Sequence, residues 1–218
     1  MARTQTLERI RELGLIPVVR AASSEDALRV VEALGEGGVD IIELTMTVPG
    51  ALKLIEGLSA RLGRHILVGA GTVLDSETAR ACILAGAEFV VSPTVEEATI
   101  ACCRTYGIAV LAGALTPTEI VRAWRAGADL VKVFPCSAMG GASYLKSLKA
   151  PFPYLRLVPT GGVTLQTAAS FLEAGASALG VGADLVNLQA LADGKPEVIT
   201  NTARGYIEVI ARTRAAKA

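Results

Sequence analysis

Eight short apolar runs, Leu15-Arg20, Asp40-Thr45, Ile66-Gly69, Glu88-Ser92, Ala109-Leu111, Asp129-Phe134, Arg156-Thr160 and Ser177-Val181, recur with centres about 20 to 26 residues apart. Most are rich in β-branched residues and bounded by turn formers, the pattern of a buried strand. Between them lie helix-patterned stretches such as Ser24-Glu36, Ser76-Ala85, Thr118-Ala126 and Leu165-Ala174, several opened by Ser or Thr and closed by Gly. Strands that alternate with helices pair in parallel, and eight such units at this spacing predict an α/β chain folded as a (β/α)8 TIM barrel. A short helix around Thr6 to Leu13 is expected to precede it, in one domain over residues 1–218. An open doubly wound sheet is the competing architecture. It lacks the GxGxxG that would follow a first strand.

An internal repeat sets the register. Gly37-Gly38-Val39-Asp40, Ala85-Gly86-Ala87-Glu88, Ala126-Gly127-Ala128-Asp129 and Ala174-Gly175-Ala176-Ser177 each end a helix and launch an even-numbered strand. Gly38, Gly86, Gly127 and Gly175 are 48, 41 and 48 residues apart, the length of two strand-helix units. Five residues beyond each lie Glu43, Val91, Lys132 and Gly180. Alternate strands of a barrel share interior layers, so equal offsets aim these four at one layer, with Glu43 across from Lys132 and Gly180 leaving space.

Lys132 lies in the middle of Asp129-Leu130-Val131-Lys132-Val133-Phe134-Pro135, a run that offers no polar face along which an amine could reach water. Burial is expected to lower an ammonium pKa and free some neutral amine for attack on a carbonyl. A structural Glu-Lys pair is the plainer reading, although desolvation offsets most of its attraction. The functional reading makes Lys132 the nucleophile and Glu43 the proton shuttle. The remaining lysines, Lys53, Lys146, Lys149, Lys195 and Lys217, fall in helices, loops or the tail and are expected to stay protonated.

Composition excludes several other roles. Lys plus Arg equals Asp plus Glu at 21 each, so no global field draws the chain to nucleic acid or an anionic membrane. The polar start MARTQTLERIRELG and the absence of any 18-residue apolar run predict a soluble, cytoplasmic protein. Cys82, Cys102, Cys103 and Cys136 lack CxxC spacing and read as small buried hydrophobes. The single histidine, His65, cannot build a multi-histidine metal site, and its place before a strand suits neither a catalytic triad nor the working end of a barrel.

Two glycine turns follow the last strands: Thr160-Gly161-Gly162, read as opening a helix, and Gly180-Val181-Gly182-Ala183. Backbone N–H groups there can approach an anion, and this is the usual phosphate end of such a barrel. Gly69-Ala70-Gly71-Thr72 after the third strand is expected to add backbone donors and a hydroxyl to the same rim, and Arg20 stands at the end of the first strand.

Together these residues resemble the bacterial 2-keto-3-deoxy-6-phosphogluconate aldolase / 2-keto-4-hydroxyglutarate aldolase family of class I, Schiff-base aldolases. The likeness runs from Ile16-Pro17-Val18-Val19 to Gly182. It is carried by Gly38-x4-Glu43-Leu44-Thr45, Gly69-Ala70-Gly71-Thr72-Val73, Val91-Ser92-Pro93, Lys132-Val133-Phe134-Pro135 and Pro159-Thr160-Gly161-Gly162. The resemblance implies a lyase that splits a small keto acid of either kind into pyruvate and an aldehyde, glyceraldehyde 3-phosphate or glyoxylate. It further implies Lys132 as the Schiff-base lysine, Glu43 as the acid/base, Thr72, Pro93 and Phe134 around the pyruvate, and Gly161, Gly162 and Gly182 at the phosphate. A homotrimer that needs no metal or other cofactor is implied as well.

Three positions depart from the family pattern. Thr47 stands where many members carry an arginine, which leaves Arg20 as the substitute for carboxylate binding. Ala183 replaces a common serine at the phosphate end, and Ala112 replaces a proline before Gly113. A phosphorylated substrate is therefore expected to keep a smaller advantage over an unphosphorylated one. A phosphogalactonate-type or non-phosphorylated keto-acid aldolase, a phosphate-binding barrel isomerase or epimerase, and a non-catalytic trimeric barrel are the other readings. Two-base chemistry lacks its strand-end His or carboxylate pair.

Overall fold

A computed structural model describes residues 2–62 and 65–216. The eight strands are β1 (Leu15–Val19), β2 (Ile41–Thr45), β3 (Leu67–Gly71), β4 (Phe89–Val91), β5 (Ala109–Ala114), β6 (Leu130–Val133), β7 (Leu157–Pro159) and β8 (Leu179–Val181). All pair in parallel, consecutively from β1 to β7, with β8 against β1. One isolated bridge, Thr160 to Gly180, joins the two ends of the sheet and closes the barrel.

Helices α1 (Arg3–Leu13), α2 (Ser24–Glu36), α3 (Ala51–Leu62), α4 (Ser76–Leu84), α5 (Glu97–Thr105), α6 (Pro117–Ala126), α7 (Ala142–Lys149), α8 (Ala168–Glu173), α9 (Leu188–Ala192) and α10 (Glu197–Ala215) complete the described elements, with a 3-10 turn at Cys136–Met139. Local chemistry fixes several boundaries. The Ser23 hydroxyl accepts from Asp26 N–H to start α2. Thr116 and Glu119 cap each other's backbone around Pro117 to start α6, and Gly127, at φ 99°, ends that helix. None of the described helices is long and apolar enough to cross a membrane.

Two apolar clusters hold the barrel. The larger lies between the strands and the surrounding helices. The smaller fills the barrel from within through Ile41, Leu67, Phe89, Leu111, Leu130 and Val158, and Ile10 of α1 seals it from below. Arg3 pairs with Asp129 at 2.6 Å and Arg9 with Asp40 at 2.7 Å, which fastens α1 across the N-terminal mouth. The opposite mouth, where the strands end, is the one left for a ligand. His65 is exposed just before β3, and its carbonyl accepts from Arg9.

Several boundaries differ from the sequence expectation, most by one or two residues at strand ends. α1 begins at Arg3 rather than near Thr6, because the Gln5 side chain folds back onto the Ala2 N–H. β3 runs through Gly71 and β5 through Ala114, because pairings such as Thr45 with Gly71 and Gly113 with Lys132 continue the ladder across residues that read as loop. The Gly69-Ala70-Gly71 segment is therefore strand, and Thr72 is what reaches the rim. Gly161 and Gly162 do not open a helix. Residues 163–167 intervene, with Thr164 N–H bonded to the Thr167 hydroxyl and Leu165 N–H to Asp184, and α8 starts only at Ala168.

Interior packing leaves Gly69 no room for a side chain, since an added Cβ would lie 2.2 Å from the Phe89 ring. Gly69→Ala should thus destabilise the protein by about 1–3 kcal/mol, the usual scale for overpacking. Gly57, in α3, is the control, because an added Cβ there would meet nothing within 4 Å. Gly57→Ala should raise stability by about 0.5–1 kcal/mol. Urea midpoints for both variants check this, and a neutral Gly69→Ala would mean that Phe89 can step aside.

Candidate active site

Adjacent strands of a barrel are hydrogen-bonded in fixed register, so residues on opposite strands meet only if both point inward at one height. Glu43 on β2 and Lys132 on β6 do so. The Lys132 Nζ donates to Glu43 Oε1 at 3.3 Å, with residue exposures of 6% and 2%. The ammonium also lies 5.5 Å from the centre of the Phe134 ring, a cation-π contact at the end of β6. Gly71 makes the pair possible, since any Cβ there would lie 2.2 Å from Glu43 Oε1. At Gly180 the space is already taken: Thr160 Oγ1 would sit 2.2 Å from an added Cβ. Val91 faces the same interior but belongs to its apolar cluster.

Above the pair opens a cavity of about 840 Å3 at the C-terminal mouth. Its lining brings together Lys132 and the other candidates read from the sequence: Arg20, Thr47, Thr72, Pro93, Phe134, Gly161, Gly162, Gly182 and Ala183. Glu43 does not line the cavity itself and lies behind Lys132. Thr72 reaches the rim from a left-handed backbone, φ 57°, which a β-branched residue adopts at a cost of about 1–3 kcal/mol. Such strain concentrates at working sites. The Thr45 hydroxyl donates to Val19 C=O at 3.2 Å, so Thr47 must be the donor in the 2.8 Å Thr45-Thr47 contact. The Thr47 hydroxyl is thus already engaged by Thr45, whereas the Arg20 guanidinium on the same wall has five N–H groups.

The sequence reading missed Asp184, which lines the cavity beside Gly182 and Ala183, and the apolar wall of Val18, Ala22, Val186 and Leu188. A charged residue two positions past Gly182 was the available signal. Lys149 differs from expectation, because burial pulls its ammonium below the usual lysine range. Its amine donates to the Pro153 and Leu155 carbonyls, and Lys149 is not among the cavity-lining residues. Lys217 lies outside the described residues. No group of three His, Cys, Asp or Glu residues among those described could hold a metal ion.

An interior ion pair under a cavity that collects backbone amides, hydroxyls and one guanidinium defines a (β/α)8 enzyme whose polar work is done at the C-terminal mouth. Comparison with known proteins identifies the group. The family model "Aldolase: KDPG and KHG aldolase" matches residues 7–202. The 2-dehydro-3-deoxy-phosphogluconate aldolase of Treponema pallidum is 33% identical over 206 residues, 94% of this chain and 96% of that protein. The 2-dehydro-3-deoxy-6-phosphogalactonate aldolase of Escherichia coli is 35% identical over 175 residues, 80% and 85% of the two chains. Among solved structures, the Legionella pneumophila KDPG aldolase with pyruvate captured as a covalent carbinolamine superposes with a TM-score of 0.83. It is 28% identical, with coverage of 93% and 98%. This chain belongs to the KDPG and KHG aldolase family. It is accordingly a lyase.

The cysteines give this architecture a chemical check. Burial pushes the thiols of Cys82 and Cys136 up to about 11 and that of Cys103 up to about 12. At pH 8 these three hold about one thiolate in a thousand or fewer. Cys102 is only half-buried. A thiol reagent at pH 8 should therefore label native protein at Cys102 well ahead of the others, as peptide mapping would read; early labelling of Cys136 would show that the 3-10 turn after β6 opens.

Proposed function

We propose that this enzyme cleaves a 2-keto-3-deoxy-6-phospho sugar acid, or 2-keto-4-hydroxyglutarate, through an imine on Lys132. The observation that carries the reading is the buried Lys132 amine held 3.3 Å from Glu43 beneath the cavity. The carbinolamine in the Legionella relative supports it.

Imine formation needs a neutral amine, and a proton passed from Lys132 to Glu43 along their hydrogen bond supplies one. Nζ adds to the C2 carbonyl, and the carbinolamine loses water to give an iminium. Glu43, again a carboxylate, takes the proton of the C4 hydroxyl directly or through water. The C3–C4 electron pair then moves into the iminium, releasing the aldehyde and leaving an enamine. Protonation at C3 and hydrolysis return pyruvate and free Lys132. Arg20 would hold the substrate carboxylate, with Thr72, Pro93 and Phe134 around the three-carbon unit. The amides of Gly161, Gly162, Gly182 and Ala183 would receive the distal phosphate.

The 35% identity to a phosphogalactonate aldolase favours a second reading that differs only at C4: the epimeric substrate, which needs the same lysine and carboxylate. A homotrimer acting in the cytoplasm as a single-domain enzyme without a cofactor completes the proposal.

Incubation with pyruvate and borohydride should trap one adduct, and peptide mapping should place it on Lys132. An adduct on any other lysine would end the assignment. Glu43→Gln, whose amide oxygen can still accept from Lys132, should keep the fold with reduced stability and slow aldol cleavage by about 10² to 10⁴, the scale of a lost general acid/base. Near-normal turnover would reduce Glu43 to a charge partner.

A further inference from the structure

The barrel is closed unevenly. Every other neighbouring pair of strands is joined by at least two register pairs, whereas β7 and β8 share the isolated Thr160 to Gly180 bridge and, lower down, the bond from Ser177 N–H to the Leu157 carbonyl. The two loops above that seam carry the glycine amides at the distal end of the cavity. Gly161 and Gly162, at φ 88° and 73°, occupy backbone conformations that side chains would otherwise restrict. Strand pairing between β7 and β8 stops at Thr160 and Gly180, below these amides, and the β7 loop is held from its other side by the bond from Ser137 N–H to the Gly161 carbonyl.

One side chain spans the gap. Asp184 Oδ2 accepts from Leu165 N–H at 3.0 Å, three residues beyond Gly162, and from the Tyr206 hydroxyl at 2.6 Å. Among the described residues this is the one side-chain hydrogen bond between the β7 and β8 loops. Tyr206 is fully buried on α10, and burial, followed by the bond to Asp184, raises its phenol far above the ordinary range. It stays a protonated donor at any working pH. Asp184 is thus tied to the core on one side and to the β7 loop on the other.

We infer that Asp184, held by Tyr206, is a positioning residue that sets the geometry of the amides receiving the distal, aldehyde-derived end of the substrate. This rests on the aldolase reading above. Misplacing binding groups by about an ångström commonly costs up to 10²-fold. The cost should fall on the part of the reaction that uses the distal end. Pyruvate, which occupies only the Lys132 end, should not feel it.

The test compares wild type, Asp184→Ala, Asp184→Asn and Tyr206→Phe by three measurements. These are KM and kcat for 2-keto-3-deoxy-6-phosphogluconate, the pyruvate concentration that half-saturates borohydride trapping, and amide exchange across residues 161–165. Asp184→Ala should raise KM by about 10- to 100-fold with little change in kcat, leave pyruvate trapping unchanged, and speed exchange at Leu165. Tyr206→Phe should move all readings the same way by less, and Asp184→Asn, which keeps an acceptor oxygen, should stay near wild type. Unchanged exchange at Leu165, an unchanged KM, an Asn variant as impaired as Ala, or equal loss of pyruvate trapping would overturn the assignment. A wild type that traps no pyruvate would instead overturn the imine reading, and exchange at Leu165 alone would then decide whether the link exists.

Discussion

A parallel sheet has to be covered on both faces, and a barrel covers one of them only by filling its own interior. Here that interior is narrow. Phe89 lies over Gly69 and Thr160 over Gly180, so large side chains are seated against positions that have none. With α1 and the apolar cluster closing the lower end, the charged pair of Glu43 and Lys132 lies toward the upper end of the interior. The location of the site follows from what the rest of the barrel must do to stay filled.

At that height the pair itself is a poor source of stability. Attraction between two buried charges is largely offset by their desolvation, and apolar replacements of similar volume are often neutral or better. Removing one partner is different, because it strands the other charge and commonly costs about 3–5 kcal/mol. The two residues are thus hard to change singly and gain little as a structural contact. The proposed imine chemistry gives a reason for the pair to be kept, since Glu43 can take the proton that Lys132 must lose before its amine attacks a carbonyl.

Much of this was legible in the sequence because it is periodic. The apolar runs gave the strands, and equal offsets from Gly38 and Gly127 brought Glu43 and Lys132 to one height, as their contact shows. Tertiary pairing was not legible. β3 and β5 extend through Gly71 and Gly113 because their neighbours' ladders continue, and glycine on its own reads as a stop. The helix expected at Leu165 starts at Ala168, because Asp184, from another loop, takes the Leu165 N–H. Such partners lie far apart in the chain and follow no period. The same holds for Lys149, whose burial depends on where residues 153–155 turn back over it.

The two ion pairs of α1 occupy particular places. Asp129 stands three residues before Lys132 on the approach to β6, and Asp40 three residues before Glu43 on the approach to β2. The helix is therefore a chord laid across the lower rim, bolted at the feet of the two strands that carry the charged pair. A ring of strands can deform most easily by becoming oval, and the Arg3 and Arg9 anchors resist that along the one diameter that joins Glu43 to Lys132. The distance between two side chains at one end of the barrel is braced by a helix at the other.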